Sequence, residues 1–182
     1  ISGAGNTAIG RDALETNTSN DNTAVGYEAL KLNAGGSRNT AVGRNALEAN
    51  TSASSNTAMG TNALLLNTTA SNNTAIGADT LTANITGSGN TAIGGSGTLD
   101  NNTTGSNNVA MGNNALDANT TGDANVLLGV DSGRSISTFT VTTQDNRVVI
   151  GNNSVTNAYI KVAFTVTSDL RDKTNFGEVP HG

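Results

Sequence analysis

Polar and apolar positions in this chain fall into one short phrase that keeps returning. Asn-Thr-Ala, a large aliphatic residue and Gly stand at 6–10, 22–26, 39–43, 56–60, 73–77 and 90–94. Looser copies follow at 108–112 and 125–129, and Val148-Val-Ile-Gly151 is a further one. The closing glycines are 16, 17, 17, 17, 17, 18, 17 and 22 residues apart, a series that chance does not generate. Side chains within a phrase alternate, which predicts a short strand ended by its glycine. Thr and the large aliphatic residue share one face of that strand; Asn and Ala share the other.

A second signal is locked to the first. Leu14, Leu30, Leu47, Leu64, Leu81 and Leu116 each stand four residues after a closing glycine, and Leu99 five after. Three residues beyond each Leu comes Asn: Asn17, Asn33, Asn50, Asn67, Asn84, Asn102 and Asn119. One such unit holds too few large side chains to fold alone, but stacked units bury them in a continuous column. The expected fold is therefore all-β: a repetitive parallel β-solenoid or β-roll of about 17 residues per coil. Asn side chains of successive coils should hydrogen-bond along the axis, as amide ladders do in cross-β stacks. We assign the coil core to Ile9, Leu14, Val25, Leu30, Val42, Leu47, Met59, Leu64, Ile76, Leu81, Ile93, Met111 and Leu116. The rest of the coil has two readings. Asp12, Glu28, Asn45, Asn62, Asp79 and Asn114 precede the Leu positions as N-caps would, which suits one helical turn. A second short strand suits the same residues.

With the large residues assigned inward, Ala8, Ala24, Ala41, Ala58, Ala75, Ala92 and Ala110 point outward. A column of small residues allows backbones to approach closely, so these alanines are expected to line the axis of a homotrimer, which also covers strand edges. The Thr column at 7, 23, 40, 57, 74 and 91 reads either as a flat external array or as half-buried filler between coils. Its replacement by Val109 and Val126 favours filler.

Composition narrows the partners. Hydrophobic residues make up 35%, aromatic residues 3% and charged residues 13%, which fits neither a conventional core nor a disordered polyelectrolyte. A formal charge of −5 argues against a nucleic-acid partner, and no apolar run is long enough for a membrane span. The chain has no cysteine, and no His-rich or EF-hand-like spacing suggests a metal, so neither cofactor nor metal is expected. No acidic pair repeats as a glycosidase would need; Asp12, Glu15, Glu28, Glu48, Asp79, Asp100, Asp117 and Asp123 scatter over different coils, and an enzyme is not expected. Many Asn-x-Thr and Asn-x-Ser triplets match the N-glycosylation acceptor, as an Asn/Thr-rich repeat produces automatically.

Past Gly129 the phrase loosens. Residues 135–143, 147–150 and 157–167 are β-rich by composition, and 130–167 is expected to form a neck. The chain, opening at Ile1 and closing at Gly182, reads as a segment of a longer protein.

The phrase Asn-Thr-Ala-(Ile/Val)-Gly with its Ala-Leu spacers resembles the head repeats of trimeric autotransporter adhesins and repeats of phage tail-fibre proteins, over residues 1–129. That resemblance implies left-handed β-rolls packed as trimers that bind host surface molecules. Ser168, Asp169, Arg171, Lys173 and Asn175 resemble the opening of the endosialidase-type intramolecular chaperone domain, of which 168–182 would be a truncated start. This second resemblance implies self-cleavage between Ser168 and Asp169, Ser168 acting as nucleophile, in a full-length precursor. Together the two imply a structural fibre or adhesin segment of a virion, extracellular, with other virion proteins and a host-cell receptor, a glycan among the candidates, as partners. The loops at 51–55, 68–72 and 85–89 vary most and are the expected receptor surface. A bacterial surface adhesin head is the alternative, and an ice-binding solenoid a remoter one.

Overall fold

The computed structural model describes residues 2–134 and 140–156. Nine strands of three residues each run β1 (Thr7–Ile9), β2 (Thr23–Val25), β3 (Thr40–Val42), β4 (Thr57–Met59), β5 (Thr74–Ile76), β6 (Thr91–Ile93), β7 (Val109–Met111), β8 (Val126–Leu128) and β9 (Val148–Ile150). They form one parallel sheet in sequence order. Equivalent residues pair throughout: Thr7 with Thr23, Ala8 with Ala24, Ile9 with Val25, and so on up the stack. One coil thus adds one strand. Seven turns of 16 to 18 residues are followed by one of 22.

The strands are short because every closing glycine except Gly94 turns to a positive φ at once. Gly43 has φ +138, and a Cβ placed there would lie 2.4 Å from the carbonyl oxygen of Gly60 in the next coil. A side chain would push the coils apart, so the same position is glycine in every turn.

The interior is narrower than the sequence suggested. Leu30, Leu47, Leu64, Leu81, Leu99 and Leu116 are fully buried, as expected of the core. Their partners across the coil are the strand-centre alanines: Ala24, Ala41, Ala58, Ala75, Ala92 and Ala110 are equally inaccessible within the single chain. The large aliphatic residues of the same strands face outward: Ile9 is 60% exposed, Met59 43% and Met111 42%. The strands alternate as expected, but the alanine face is the inner one. The Leu side chains fill the space between the walls and leave room only for a methyl group on the sheet side. Ile9, Val25, Val42, Met59, Ile76, Ile93 and Met111 are accordingly not core residues.

Two amide ladders flank this apolar column. Asn33 Nδ2 donates to Asn17 Oδ1 (2.7 Å), Asn50 to Asn33 (2.6 Å), Asn84 to Asn67 (2.9 Å), Asn102 to Asn84 (2.8 Å) and Asn119 to Asn102 (2.8 Å). Each also donates to a carbonyl of its own coil, as Asn84 does to Gly87 (2.9 Å). The pentad asparagines form the second ladder. The backbone N–H of Asn73 donates to Asn56 Oδ1 (2.9 Å) and that of Asn90 to Asn73 Oδ1 (2.9 Å). Asn73 Nδ2 donates to the same Gly87 carbonyl (2.9 Å). These asparagines are buried, so every amide needs its partners.

The wall opposite the sheet contains no helix among the described residues, and its turns do not form a regular second strand. Alternate residues are left-handed instead: Asn45 and Leu47 have φ 56 and 53, and Asn62 and Leu64 have φ 58 and 53. The residues expected as N-caps therefore sit at left-handed positions, where Asn, Asp and Gly are tolerated best. For Leu that conformation costs about 1–2 kcal/mol. It persists because the neighbouring amides reach the next coil, Leu47 N–H donating to Ala63 O (3.0 Å) and Ala49 N–H to Leu65 O (3.1 Å).

Residues 130–150 were expected to open a separate neck. Those described instead complete one more coil, with β9 on β8 in the same register. Residues 157–167 of the expected neck lie outside the described residues.

Candidate interaction face

The outward surface of the sheet is the most continuous feature of the molecule. Two columns run up it at the coil spacing, about 4.8 Å per strand. One is Thr7, Thr23, Thr40, Thr57, Thr74 and Thr91, continued by Val109, Val126 and Val148; the other is Ile9, Val25, Val42, Met59, Ile76, Ile93, Met111, Leu128 and Ile150. No charged residue stands in either. Thr23 to Thr91 are half-buried, each shielded by the rungs above and below it, so the external-array and filler readings describe one position. The aliphatic column is the more exposed, with Ile76 at 37% and Ile150 at 71%.

Nothing polar is convergent here. The alternation places a hydroxyl beside an aliphatic group on the first six rungs and two aliphatic groups on the last three, with only backbone amides committed to the ladder behind them. Such a face can pack against another extended apolar surface.

The alanines expected on a trimer axis do not reach this face. Ala24, Ala41, Ala58, Ala75, Ala92 and Ala110 point into the coil, where the Leu column covers them. Ala8 is exposed in the first strand yet points the same way. Any axis through the sheet face is therefore lined by the aliphatic column instead. The sequence did hold a signal for this inversion. At Leu127 the inner position becomes large, and the Leu expected four residues after Gly129 is Gly133 in the same coil. A Cβ on Gly133 would sit 2.1 Å from Leu127 Cδ2, so the two side chains compete for one space.

The remaining candidates are dispersed. Ser168 and Asp169, the expected cleavage junction, lie outside the described residues. The variable loops 51–55, 68–72 and 85–89 are largely exposed, but Ala53, Ala70 and Gly87 at their centres are buried and accept the amides of both ladders. Their backbones are structural; only the flanking side chains are free to meet a partner.

At one corner of the coil, Arg11 and Arg44 straddle the ring of Tyr27, their guanidinium carbons 5.3 and 5.9 Å from its centroid. These contacts tie three successive coils together and add to stability, about 0.5–1 kcal/mol each at an exposed site. Nearby, Lys31 Nζ pairs with Glu28 at 2.6 Å, which lowers the carboxyl pKa and raises that of the amine.

A second group of carboxylates lies near the far end. Burial pushes the Asp117 carboxyl above its ordinary value, against the pull of Arg134, with Asp100 and Asp131 adding to the rise. Asp131 goes the other way, lowered first by the Asn114 amide and then by Arg134. Asp117 and Asp131 share Arg134, at 3.5 and 3.1 Å, so this is an ion-pair cluster between coils. No group of three or more metal-ligating side chains occurs among the described residues. An open groove of about 630 Å³ lies at the last described coil, lined by Val141, Val148 and Val149 among others. Comparison with protein-family models, curated proteins and solved structures returns no match for this chain.

Proposed function

We propose that the chain is a rigid structural segment of a homotrimeric fibre or adhesin carried on a virion, serving as spacer and as a platform for host attachment. Three solenoids would meet with their outer sheet faces toward a common axis. The observation that carries this reading is the aliphatic column itself: nine uncharged rungs in register, partly exposed along a rod of about 38 Å. Contiguous apolar surface of this kind marks an interaction site on a soluble chain. Three copies related by a threefold axis cover it without leaving a free strand face. The virion setting rests on the resemblance of the repeat to phage fibre and autotransporter heads and of Ser168–Asn175 to the chaperone opening. The receptor, a glycan among the candidates, would meet the exposed loop side chains.

The test is the mass of the native particle by sedimentation or light scattering, for the parent and for Met59→Glu. A trimer that the substitution splits into folded monomers supports the proposal; a monomeric parent refutes it.

A second reading is favoured by one specific observation. The Thr column stands on the outer face, in line with the aliphatic column, as an ice-binding solenoid requires. The two readings exclude each other, because a threefold axis through this face would cover the threonines. Thermal hysteresis in a monomeric preparation would select the second reading, and its absence removes it.

A further inference from the structure

Nine triplets in the chain match the N-glycosylation acceptor, and they start at Asn17, Asn50, Asn67, Asn72, Asn84, Asn101, Asn102, Asn119 and Asn152. Acceptor triplets ordinarily mark surface loops. Here the fold divides them sharply. Asn17, Asn50, Asn67, Asn84, Asn102 and Asn119 are six of the seven asparagines of the inner amide ladder, none more than 1% accessible. Asn72 and Asn101 are exposed and Asn152 is half-exposed.

The chemistry of the ladder decides what a glycan would do. Transfer from a polyisoprenyl-pyrophosphate oligosaccharide forms a bond from the sugar C1 to Nδ2, breaks the C1–O bond to pyrophosphate and releases one amide proton. At Asn84 both protons of Nδ2 are in use, one toward Asn67 Oδ1 (2.9 Å) and one toward the Gly87 carbonyl (2.9 Å). Asn102 repeats this with Asn84 Oδ1 and the Gly105 carbonyl. Substitution removes one of these buried bonds and also inserts a sugar where the next coil stacks. At Asn101 the amide donates outward to Asp117 (2.9 Å to the backbone oxygen), on an exposed edge.

We propose that N-glycosylation and folding of this chain are mutually exclusive at the six ladder asparagines, leaving Asn72, Asn101 and Asn152 as the acceptors that the folded chain presents. The chain must then fold before it meets an oligosaccharyltransferase, or fold where there is none. The hydroxyl residues that complete the six ladder triplets are Ser19, Ser52, Thr69, Thr86, Thr104 and Thr121, on the loop surface. Replacing all six with Ala abolishes the ladder acceptors and keeps every ladder Asn.

The test glycosylates the urea-unfolded full chain with a purified oligosaccharyltransferase. The urea is then diluted away, and protease resistance, the far-UV spectrum and site occupancy by peptide mass mapping are read. Chains occupied at Asn67 or Asn84 should stay protease-sensitive. The six-Ala variant, occupied at Asn72, Asn101 and Asn152, should refold like the unmodified chain. Ladder-occupied chains that regain protease resistance overturn the proposal, and so does a glycosylated six-Ala variant that fails to refold.

Discussion

Replacing Asn84 with Ala tests whether the inner amide ladder holds the coils together. Asn84 makes three ladder bonds: its Nδ2 donates to Asn67 Oδ1 and the Gly87 carbonyl, and its Oδ1 accepts from Asn102 Nδ2. Gly87 O keeps the Asn73 amide and Asn102 keeps the Gly105 carbonyl, so neither is orphaned. Asn67 Oδ1 loses its only ladder donor and is left buried, which costs about 1–3 kcal/mol. The two other lost bonds add about 0.5–1.5 kcal/mol each, so the expected loss is about 2–6 kcal/mol. Asn119 is the internal control. Its Oδ1 is already without a partner, because Val141 takes the ladder position in the next coil. Asn119→Ala should therefore cost less than Asn84→Ala, by about one hydrogen bond. Val141→Asn should recover about 1 kcal/mol by donating to Asn119 Oδ1. Urea unfolding followed by circular dichroism measures all three at constant m. An Asn84→Ala variant within about 0.5 kcal/mol of the parent, or no better tolerated substitution at Asn119, would refute the reasoning.

The two faces of a strand and the two carboxylates of the ion-pair cluster give further tests. Ala58→Ile should destabilise by about 1–3 kcal/mol or more through overpacking against the Leu column. Met59→Glu, one residue on, should change the monomer's stability by no more than about 0.5 kcal/mol, and thermal melts of both monomers separate inside from outside. The folded state binds the Asp117 proton more tightly than the unfolded chain, so that contribution is present below the ordinary value of 3.8 and is lost as pH rises through the raised folded value. Asp117→Asn should then melt above the parent at neutral pH and lose its advantage in acid. Asp131 has the opposite sign: its depressed pKa stabilises above 3.8, and that is lost as pH falls through the folded value. Asp131→Asn should melt below the parent at neutral pH and approach it in acid. Parallel shifts of the two variants across a pH series would contradict the assignment.

How much of this was legible in the chain follows from what each signal measures. The period was legible because stacking repeats the same environment every turn, so Gly10, Gly26 and Gly43 answer one steric demand. The Leu column and the existence of amide ladders were legible for the same reason. Left-handed Leu47 and Leu64 were not, because Leu has no preference for that conformation and only the inter-coil amide bonds hold it there. Asn45, Asn62 and Asn114, alternating with the Leu positions, were the trace it left, and they read equally well as helix caps. The inward face of the strands was not legible because alternation states which residues share a face and says nothing of the distance between walls.

That distance is what Leu127 and Gly133 record, and a double-mutant cycle can read it. In earlier coils the sheet contributes a methyl and the opposite wall a Leu; here the sheet contributes Leu127, fully buried, and the wall contributes Gly133. Leu127→Ala alone empties the coil and should cost about 2–5 kcal/mol. Gly133→Leu alone overfills it, since its Cβ would already clash with Leu127. Combined, they rebuild the arrangement of Ala110 and Leu116, and Gly133 already has the left-handed φ, 71, that Leu116 adopts at 55. The double variant should therefore be more stable than either single one, with a favourable coupling of about 1–3 kcal/mol. Additive losses would mean that the two side chains do not share a space. The inner face of the strand would then be set by something other than the width of the coil.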